Sequence, residues 1–585
     1  MPLLRAAQRR VELLVLIVLI AVATSWFFFF RTSEQTILLA MPFSSRPRVT
    51  IRQGTIIGSK TVDPTLKFPQ ALDRFLGVPY AMSTGGNNRF RPAVPVGEGK
   101  KEFDARKYGS TCLAMASGGD GEDCLNLNIF RPSKRPEGEK LPVLVYIHGG
   151  AFNGGFGHMR VISSLVAWSS RPMIGISFNY RLGALGFLSG KLAAEEGALN
   201  LGLKDQSTLL QWVKENIHDF DGNPDDVTIM GSSAGAHSVG HHIFNNPRQS
   251  PLFHKAIIES GAATARLVLP YDATIHETQF SEFLSHLDLL DTPPDELFDV
   301  LRGLPVDEIG KASLAVYHKY DPQVRWPWQP VIDGEGGFIP IAPIKAWRAG
   351  NWHPIPIMTG FNTNEGANFI NPGIATSNEF TTFFSNLIPN FSSDDIRALA
   401  DMYPDPISDP DSPYVETRPG LGAQFFRTEQ AYGHFAYINP VRQTTNFSSQ
   451  KSSVWLYQFA AKVAREGTLH AAHDNFATYN IDIWERSPSL REITGKMHAY
   501  WTSFITTGDP NTEPGRWEER LTWPKFVMGS ETGDQTQYGE IAVFGQGNDE
   551  MTGGAEQGAA VKIVDDGWAR DQCMFWDKRT ELFES

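Results

Sequence analysis

The stretch Val227-Thr-Ile-Met-Gly-Ser-Ser-Ala-Gly-Ala-His-Ser-Val239 decides the fold of this chain. Its β-branched run Val227-Thr-Ile229 predicts a short buried strand, and the small residues of 234–238 predict the first turns of a helix. Between them, Gly231-Ser-Ser-Ala-Gly235 matches a nucleophile elbow, a sharp strand-to-helix turn whose central serine projects into a cleft. The two glycines are expected because strand and helix cross there without room for a Cβ atom. The stretch therefore predicts Ser233 as a nucleophile.

Strand and helix patterns alternate on both sides of this stretch, which is typical of an α/β fold with a large, mostly parallel central sheet flanked by helices. Between residues 261 and 347 the pattern is mainly helical, and we interpret that segment as an insertion that walls the cleft. No internal repeat is present, so one continuous domain over 48–585 is the simplest account. Strands are predicted at 49–51, 55–57, 125–130, 143–147, 173–178, 227–230, 256–258, 354–358 and 453–459.

Composition restricts the function classes. The chain has 585 residues, of which 41% are hydrophobic, enough to bury a large core. It has 52 Lys plus Arg against 65 Asp plus Glu, a net charge of −13, with no basic stripe. A nucleic-acid partner is therefore not expected, because phosphate contacts require clustered cations.

The amino terminus predicts a membrane anchor. Arg5, Arg9 and Arg10 precede the apolar run 13–30, which as a helix would reach about 27 Å, close to the hydrocarbon thickness of a bilayer. We predict a cytosolic basic tail (1–12), a transmembrane signal-anchor helix (13–30), a tether (31–47) and a lumenal or extracellular body. The alternative is a secreted protein, because Ala21-Val-Ala23 resembles a signal cleavage site.

Cysteines and glycosylation motifs bear on the same compartment. If it is oxidising, Cys112 and Cys124 are expected to form one local disulfide and Cys573 to remain a buried thiol; the alternative is three reduced cysteines in the core. Glycosylation motifs begin at Asn390 and Asn446, which fits a lumenal or extracellular body.

A serine nucleophile requires a base, and the base requires an acid that fixes its tautomer. In folds with a nucleophile elbow, these residues follow in the order Ser, Asp or Glu, His, each after a strand. Glu365 follows the predicted strand 354–358, and His470 and His473 follow the predicted strand 453–459. The oxyanion of acyl transfer also needs backbone donors, and the turn His148-Gly-Gly-Ala-Phe152 after the strand 143–147 exposes consecutive N–H groups.

The chain resembles the type-B carboxylesterase/lipase family, the cholinesterase-like branch of the α/β-hydrolases, from about residue 49 to 576. The resemblance implies Ser233 as nucleophile, Glu365 as acid and His470 as base. It also implies oxyanion donors at Gly150, Ala151 and Ala234, a Cys112–Cys124 bridge, and Ser260 next to Glu365. The matching segments are Phe75-Leu-Gly-Val-Pro-Tyr-Ala81, Glu122-Asp-Cys-Leu-Asn-Leu-Asn128, His148 to Phe152, Asn179-Tyr-Arg-Leu-Gly183, Gly202-Leu-Lys-Asp-Gln206, Trp212, Gly231 to Gly235, Glu259-Ser-Gly261, Gly360 to Gly366 and Gly508-Asp-Pro-Asn511.

Three positions depart from the family pattern. Ser232 stands where the family usually has glutamate, and His473 stands where an acidic residue commonly follows the base, so His473 is the alternative base. The segment between Cys112 and Cys124 holds no aromatic residue that could stack on a quaternary ammonium, which makes choline esters unexpected substrates.

The predicted function is a serine carboxylic ester hydrolase that acts on a small-molecule ester through an acyl-enzyme. The resemblance leaves two alternatives: an inactive, membrane-tethered adhesion protein, and an acyltransferase with the same triad. No cofactor or metal is expected, because His237 and His241 have the spacing of a metal pair but lack a completing carboxylate. The sequence does not determine the oligomeric state.

Overall fold

An 11-stranded mixed sheet runs through the computed structural model, which describes residues 46–61, 65–114, 121–245, 251–517, 519–528, 531–532, 535–536 and 539–584. The strand order in this sheet is β16-β15-β12-β11-β10-β9-β7-β8-β6-β4-β3. The strands are β1 (Arg48–Ile51), β2 (Gly54–Ile57), β3 (Ser59–Thr61), β4 (Leu72–Pro79), β5 (Glu102–Asp104), β6 (Asn126–Pro132), β7 (Leu141–Ile147), β8 (Ile174–Phe178), β9 (Gly222–Ser232), β10 (Lys255–Glu259), β11 (Ile357–Asn362), β12 (Val454–Phe459), β13 (Glu531–Thr532), β14 (Gln535–Thr536), β15 (Glu540–Gln546) and β16 (Ala559–Asp565).

The centre of the sheet is parallel and its two edges are antiparallel. Strands β8, β7, β9, β10, β11, β12 and β15 pair parallel with one another in that order. Strands β3, β4 and β6 are antiparallel at one edge, and β16 is antiparallel at the other. The predicted mostly parallel sheet is therefore correct for the centre.

Helices cover the sheet and fill the long connections. Four of them, α6 to α9, lie in the segment 261–347 that was predicted to be mainly helical. The helices are α1 (Ile162–Trp168), α2 (Gly183–Phe187), α3 (Lys191–Glu195), α4 (Leu201–Asn216), α5 (Ala234–Phe244), α6 (Thr274–Ser285), α7 (Pro294–Gly303), α8 (Val306–Tyr320), α9 (Pro343–Arg348), α10 (Ser377–Leu387), α11 (Ser393–Met402), α12 (Phe425–Gly433), α13 (Asn439–Ser448), α14 (Asp474–Ala477), α15 (Ile481–Trp484), α16 (Pro488–Thr507) and α17 (Arg570–Asp577).

The central strands are buried on both faces. In β7, Val143, Val145 and Ile147 pack into one apolar cluster, while Leu144 and Tyr146 pack into another on the opposite face. A strand covered on both faces needs no polar alternation, which explains the continuous apolar run that predicted it.

One strand boundary was wrong in a way that matters for the site. The strand predicted at 354–358 is β11, which runs from Ile357 to Asn362 and pairs with β12 over its whole length. Gly360 lies inside this strand. A Cβ at this position would lie 2.3 Å from the ring of Tyr457, so the position requires glycine. The glycine therefore marks close packing inside the sheet, not its end.

The predicted basic tail, signal-anchor helix and most of the tether lie outside the described residues. Among the residues that the structure describes, none of the helices is long and apolar enough to span a bilayer.

Cys112 and Cys124 form a disulfide, as predicted. Cys573 is a buried free thiol whose Sγ accepts a hydrogen bond from Arg442 Nη1 at 3.0 Å.

Candidate active site

The elbow has the predicted strand-turn-helix geometry. Strand β9 ends at Ser232, α5 begins at Ala234, and Ser233 between them has φ 58° and ψ −124°. This conformation costs a non-glycine residue free energy and is maintained by the packing around it. A Cβ on Gly235 would lie 2.1 Å from Ile147 O, and one on Gly231 would lie 2.3 Å from the carbonyl carbon of Gly235. Both elbow glycines are therefore required by close backbone approach.

Glu365 and His470 contact each other directly. His470 Nδ1 lies 2.5 Å from Glu365 Oε2, although the residues are 105 positions apart in sequence. The other carboxylate oxygen, Oε1, accepts hydrogen bonds from Ser260 Oγ at 2.7 Å and from Asn362 N at 2.6 Å. His470 Nε2 is buried and has no hydrogen-bond partner within the described part of the chain. The carboxylate thus fixes one ring nitrogen and leaves the other available to a reacting group.

Two aromatic rings hold the imidazole of His470. The ring centroid of Tyr437 lies 4.4 Å from that of His470, and the centroid of Phe369 lies 5.3 Å from it. Neither aromatic residue stood out in the sequence, since the contacts depend on segments that are distant along the chain.

His473, the alternative base, lies in a different environment. It is fully buried, its Nδ1 is 3.1 Å from Asn362 Oδ1, and its Nε2 is 3.2 Å from Asp474 Oδ1 and 3.6 Å from Glu259 Oε1. Glu259 also forms a buried ion pair with Arg160. Burial opposes ionisation of Glu259, but Arg160 and His473 lower the pKa of that carboxyl. His473 therefore belongs to a buried charge network and makes no hydrogen bond to Glu365.

Three residues of the same network have side-chain atoms close enough together to coordinate one metal ion. Among the described residues, one oxygen or nitrogen each from Glu259, His473 and Asp474 lie within 4.8 Å of one another. Arg160 contacts both carboxylates, with Nη1 3.5 Å from Asp474 Oδ1. The guanidinium of Arg160 therefore already neutralises carboxylate charge at this position.

Two asparagines that the sequence analysis missed join the acid loop to the histidine loop. Asn362 Nδ2 donates to Leu469 O at 2.6 Å. Asn364 N donates to Thr468 O at 3.0 Å, and Asn364 Oδ1 accepts from Thr468 N at 3.0 Å. Both asparagines lie in the quoted segment 360–366, so the polar side chains flanking Glu365 were the available signal. They set the distance between Glu365 and His470.

The predicted oxyanion turn lies against the elbow. A Cβ on Gly149 would lie 2.7 Å from Ser232 O and 3.1 Å from Ser233 Cβ. Gly150 has φ 113° and Ala151 has φ 53°. Within the described residues, the N–H groups of Gly150 and Ala151 donate to no protein acceptor. Ala234 is the first residue of α5, so its N–H has no intrahelical acceptor either.

Hydrogen bonds fix the shape of this turn. Gly150 O accepts from Asn153 N and Gly154 N, and Ala151 O accepts from Asn153 Nδ2 at 2.8 Å and Gln329 Nε2 at 2.9 Å. His148 stacks on Tyr180, and burial lowers the pKa of His148 to about 4. His148 is therefore neutral near pH 7 and supports the turn.

The remaining singled-out histidines pack inside the fold. His237 Nδ1 lies 2.9 Å from Ala262 O, and burial lowers the pKa of His237 well below its usual value. Burial likewise lowers the pKa of His241 to about 3. Ser232, which replaces the usual glutamate, has a buried Oγ without a hydrogen-bond partner in the described residues.

Comparison with known proteins agrees with this architecture. A secreted lipase of Gibberella zeae, "Secreted lipase 4", is 31% identical over 541 residues, covering 89% of this chain and 91% of the lipase. The acetylcholinesterase of Electrophorus electricus is 30% identical over 546 residues, covering 82% and 83% of the two chains.

Solved structures give the same result. The crystal structure of Aspergillus niger EstA superposes with a TM-score of 0.75 at 25% identity, covering 93% of this chain and 100% of EstA. A thermophilic PNB esterase superposes with a TM-score of 0.70 at 25% identity, covering 90% and 99%. The model of the carboxylesterase family matches residues 45–552. The chain therefore belongs to the carboxylesterase family, has the α/β-hydrolase fold and is a carboxylic ester hydrolase.

Proposed function

We propose that this enzyme cleaves carboxylic esters through an acyl-enzyme on Ser233, with His470 as base and Glu365 as acid. The observation that carries the proposal is the 2.5 Å contact between His470 Nδ1 and Glu365 Oε2, which leaves the buried Nε2 of His470 without a protein partner. A histidine held in this way is oriented to accept the proton of a serine hydroxyl.

In the first step, His470 Nε2 takes the proton of Ser233 as Oγ attacks the ester carbonyl carbon. The carboxylate of Glu365 keeps the remaining N–H on Nδ1 and stabilises the imidazolium that forms. Ser260 and Asn362 hold the other oxygen of Glu365, so the carboxylate keeps its orientation while the charge on the imidazole changes.

The negative charge that develops on the carbonyl oxygen would be bound by the backbone N–H groups of Gly150, Ala151 and Ala234. Each such donor contributes about 2.7 to 4 kcal/mol to the stability of the transition state. The imidazolium then protonates the departing alcohol, and the acyl group remains on Ser233.

In the second step, His470 removes a proton from water as the water attacks the acyl-enzyme, and the acid leaves with Ser233 restored. An acyltransferase would use an alcohol here in place of water. Product analysis with a short alcohol present separates the two: free acid as the main product supports hydrolysis, and a new ester as the main product supports transfer.

We further propose that the enzyme acts outside the cytosol, either secreted or held by the predicted anchor. The Cys112–Cys124 disulfide supports an oxidising compartment, and the relative in Gibberella zeae is named a secreted lipase. Asn390 is exposed, whereas Asn446 lies in α13 with a buried Oδ1. Glycosylation is therefore expected first at Asn390. Sequencing the mature amino terminus distinguishes a cleaved signal from a retained anchor.

The catalytic assignment is tested with 4-nitrophenyl esters of increasing chain length and the variants S233A, H470A and H473A. We expect S233A and H470A to lose at least about 10³-fold in kcat. S232A is the matched control, because it removes the neighbouring hydroxyl, which makes no hydrogen bond in the described structure. Wild-type turnover by S233A would refute the nucleophile, and loss in H473A with retention in H470A would transfer the base role to His473.

A further inference from the structure

A cavity that is partly open to solvent adjoins the oxyanion turn. Phe152, which follows Ala151 directly, is one wall, and Gln329 is another wall residue whose Nε2 donates to Ala151 O at 2.9 Å. His237 also lines the cavity. The ring of His237 stacks on that of Tyr437, and the ring centroid of Tyr437 lies 4.4 Å from that of His470, so one aromatic ring separates the cavity wall from His470. It therefore has the position of a substrate pocket.

Most of the cavity wall is apolar, yet it includes two arginines, Arg266 and Arg325. The guanidinium of Arg266 lies over the ring of Trp326, 3.8 Å from its centroid. Arg325 has a buried Nε without a hydrogen-bond partner in the described structure, and burial lowers the pKa of its guanidinium. An arginine nevertheless keeps its charge at physiological pH.

Among the described residues, neither guanidinium has an acidic partner within 4.0 Å. Some buried arginines elsewhere in this fold are ion-paired, such as Arg160 with Glu259 and Arg442 with Asp566, whereas the buried Arg427 donates to neutral oxygens such as Tyr403 O. Arg266 and Arg325 are only partly buried, so their guanidinium groups remain open to a ligand that supplies the opposite charge.

Asp321, Asp272 and Glu282 lie near the cavity without lining it, and Glu282 pairs with Lys319 at 2.6 Å. Asp321 Oδ1 accepts hydrogen bonds from Trp326 Nε1 at 2.7 Å and from Tyr317 Oη at 2.9 Å. Asp272, which raises the pKa of the neighbouring His276 slightly against the effect of burial, is exposed at the surface. Neither residue lines the cavity. The wall is therefore cationic, although the chain carries a net charge of −13.

A buried histidine adds an unused polar group to the same wall. His276 is 8% exposed, and neither of its ring nitrogens has a hydrogen-bond partner at standard geometry in the described structure. Burial lowers the pKa of His276 to about 4, so the ring is neutral near pH 7 and can donate one N–H. Gln279, on the next turn of α6, also lines the wall, and its Nε2 donates to Arg325 O at 3.2 Å.

We propose that this cavity binds a carboxylate of the ester substrate, which Arg266 and Arg325 pair with and His276 or Gln279 hydrogen-bonds. The inference rests on the proposed function and specifies its substrate class: esters that carry a second, free carboxylate, such as monoesters of dicarboxylic acids. Arginine suits this role because its planar guanidinium matches a carboxylate, and apolar walls strengthen the ion pair by excluding water.

The test compares charged and neutral ester substrates of similar length. In one arm, the mono-4-nitrophenyl ester of adipic acid is compared with its methyl 4-nitrophenyl diester, which places or removes the charge on the acyl chain. In the second arm, 4-acetoxybenzoate is compared with phenyl acetate, which places or removes the charge on the alcohol. The quantity measured is the ratio of kcat/KM for the charged ester to that for the neutral ester.

We expect the ratio to exceed one in at least one arm and to fall about 10-fold to 100-fold in R266Q or R325Q, because a hydrogen bond to a charged group contributes about 1.5 to 3 kcal/mol. R266K should retain part of the preference. R516Q is the matched control, since Arg516 is an exposed arginine over the ring of Trp168 and does not line the cavity.

A ratio of one or less in both arms, or an unchanged ratio in folded R266Q and R325Q, would overturn the inference and leave the esterase proposal intact. Turnover of both neutral esters by S233A at the wild-type rate would refute the catalytic proposal instead. The two failures therefore remain distinguishable.

Discussion

Substituting Gly235 by alanine tests the geometry on which the elbow depends. The added Cβ would lie 2.1 Å from Ile147 O, 2.9 Å from Ile147 C and 3.1 Å from His148 O. These are backbone atoms of β7 and of the first residue of the oxyanion turn, so relief requires the helix α5 and the strand to separate. Since ordinary carbon–oxygen contacts exceed 3 Å, the separation is on the order of 1 Å.

The expected cost follows from this displacement. Overpacking of a buried site destabilises the fold by about 1 to 3 kcal/mol. A clash with backbone atoms belongs at the upper end of this range, because the backbone moves less easily than a side chain. At about 2.1 cal/mol/K of unfolding entropy per residue, a loss of 3 kcal/mol lowers the Tm of this 585-residue chain by only about 2 to 3 °C. The effect on activity should be larger, because moving Ala234 N, a proposed oxyanion donor, by about 1 Å should cost about 10²-fold in kcat.

The assay combines kcat on a short 4-nitrophenyl ester with the Tm of the same sample. G303A is the matched control: Gly303 ends α7, and a Cβ there would meet no atom within 4 Å. That substitution should leave kcat unchanged and keep or slightly raise the Tm. A G235A enzyme with wild-type kcat and Tm would refute the argument that close approach of backbones fixes the elbow.

Three further predictions concern the surroundings of the site. H470A should lose at least about 10³-fold in kcat, whereas H473A should mainly lower the free energy of unfolding, by about 1 to 3 kcal/mol, because it removes a buried polar partner of Asn362 and Asp474 while Arg160 still pairs with the carboxylates; urea unfolding together with single-substrate kinetics separates the two effects. Replacing both Cys112 and Cys124 by serine should lower the free energy of unfolding by about 3 kcal/mol, and an unchanged denaturation midpoint would contradict this. Burial raises the pKa of Glu429 to about 8, so its contribution to stability is full below about pH 4.5 and is lost as pH rises to 8; E429Q should flatten this decline in a series of urea midpoints.

The sequence by itself determined the fold class and indicated the residues that we propose to react. The elbow pattern predicted a strand, a turn and a helix around Ser233, because a Gly-x-Ser-x-Gly turn is a local feature that depends on backbone conformation and small residues. The continuous apolar runs predicted central strands for the same reason: a strand buried on both faces has no polar positions. The order of Ser233, Glu365 and the two candidate histidines was likewise readable along the chain.

Only the tertiary structure decided which histidine meets Glu365. His470 and His473 are three residues apart on one loop, and their local sequence does not indicate which ring faces the carboxylate. That choice depends on Asn362, which bonds to both Glu365 and the histidine loop, and on the buried network of Glu259 that holds His473. The unpaired arginines of the cavity are also a tertiary feature, because whether a charge has a partner depends on residues that are remote in sequence and brought together by the sheet.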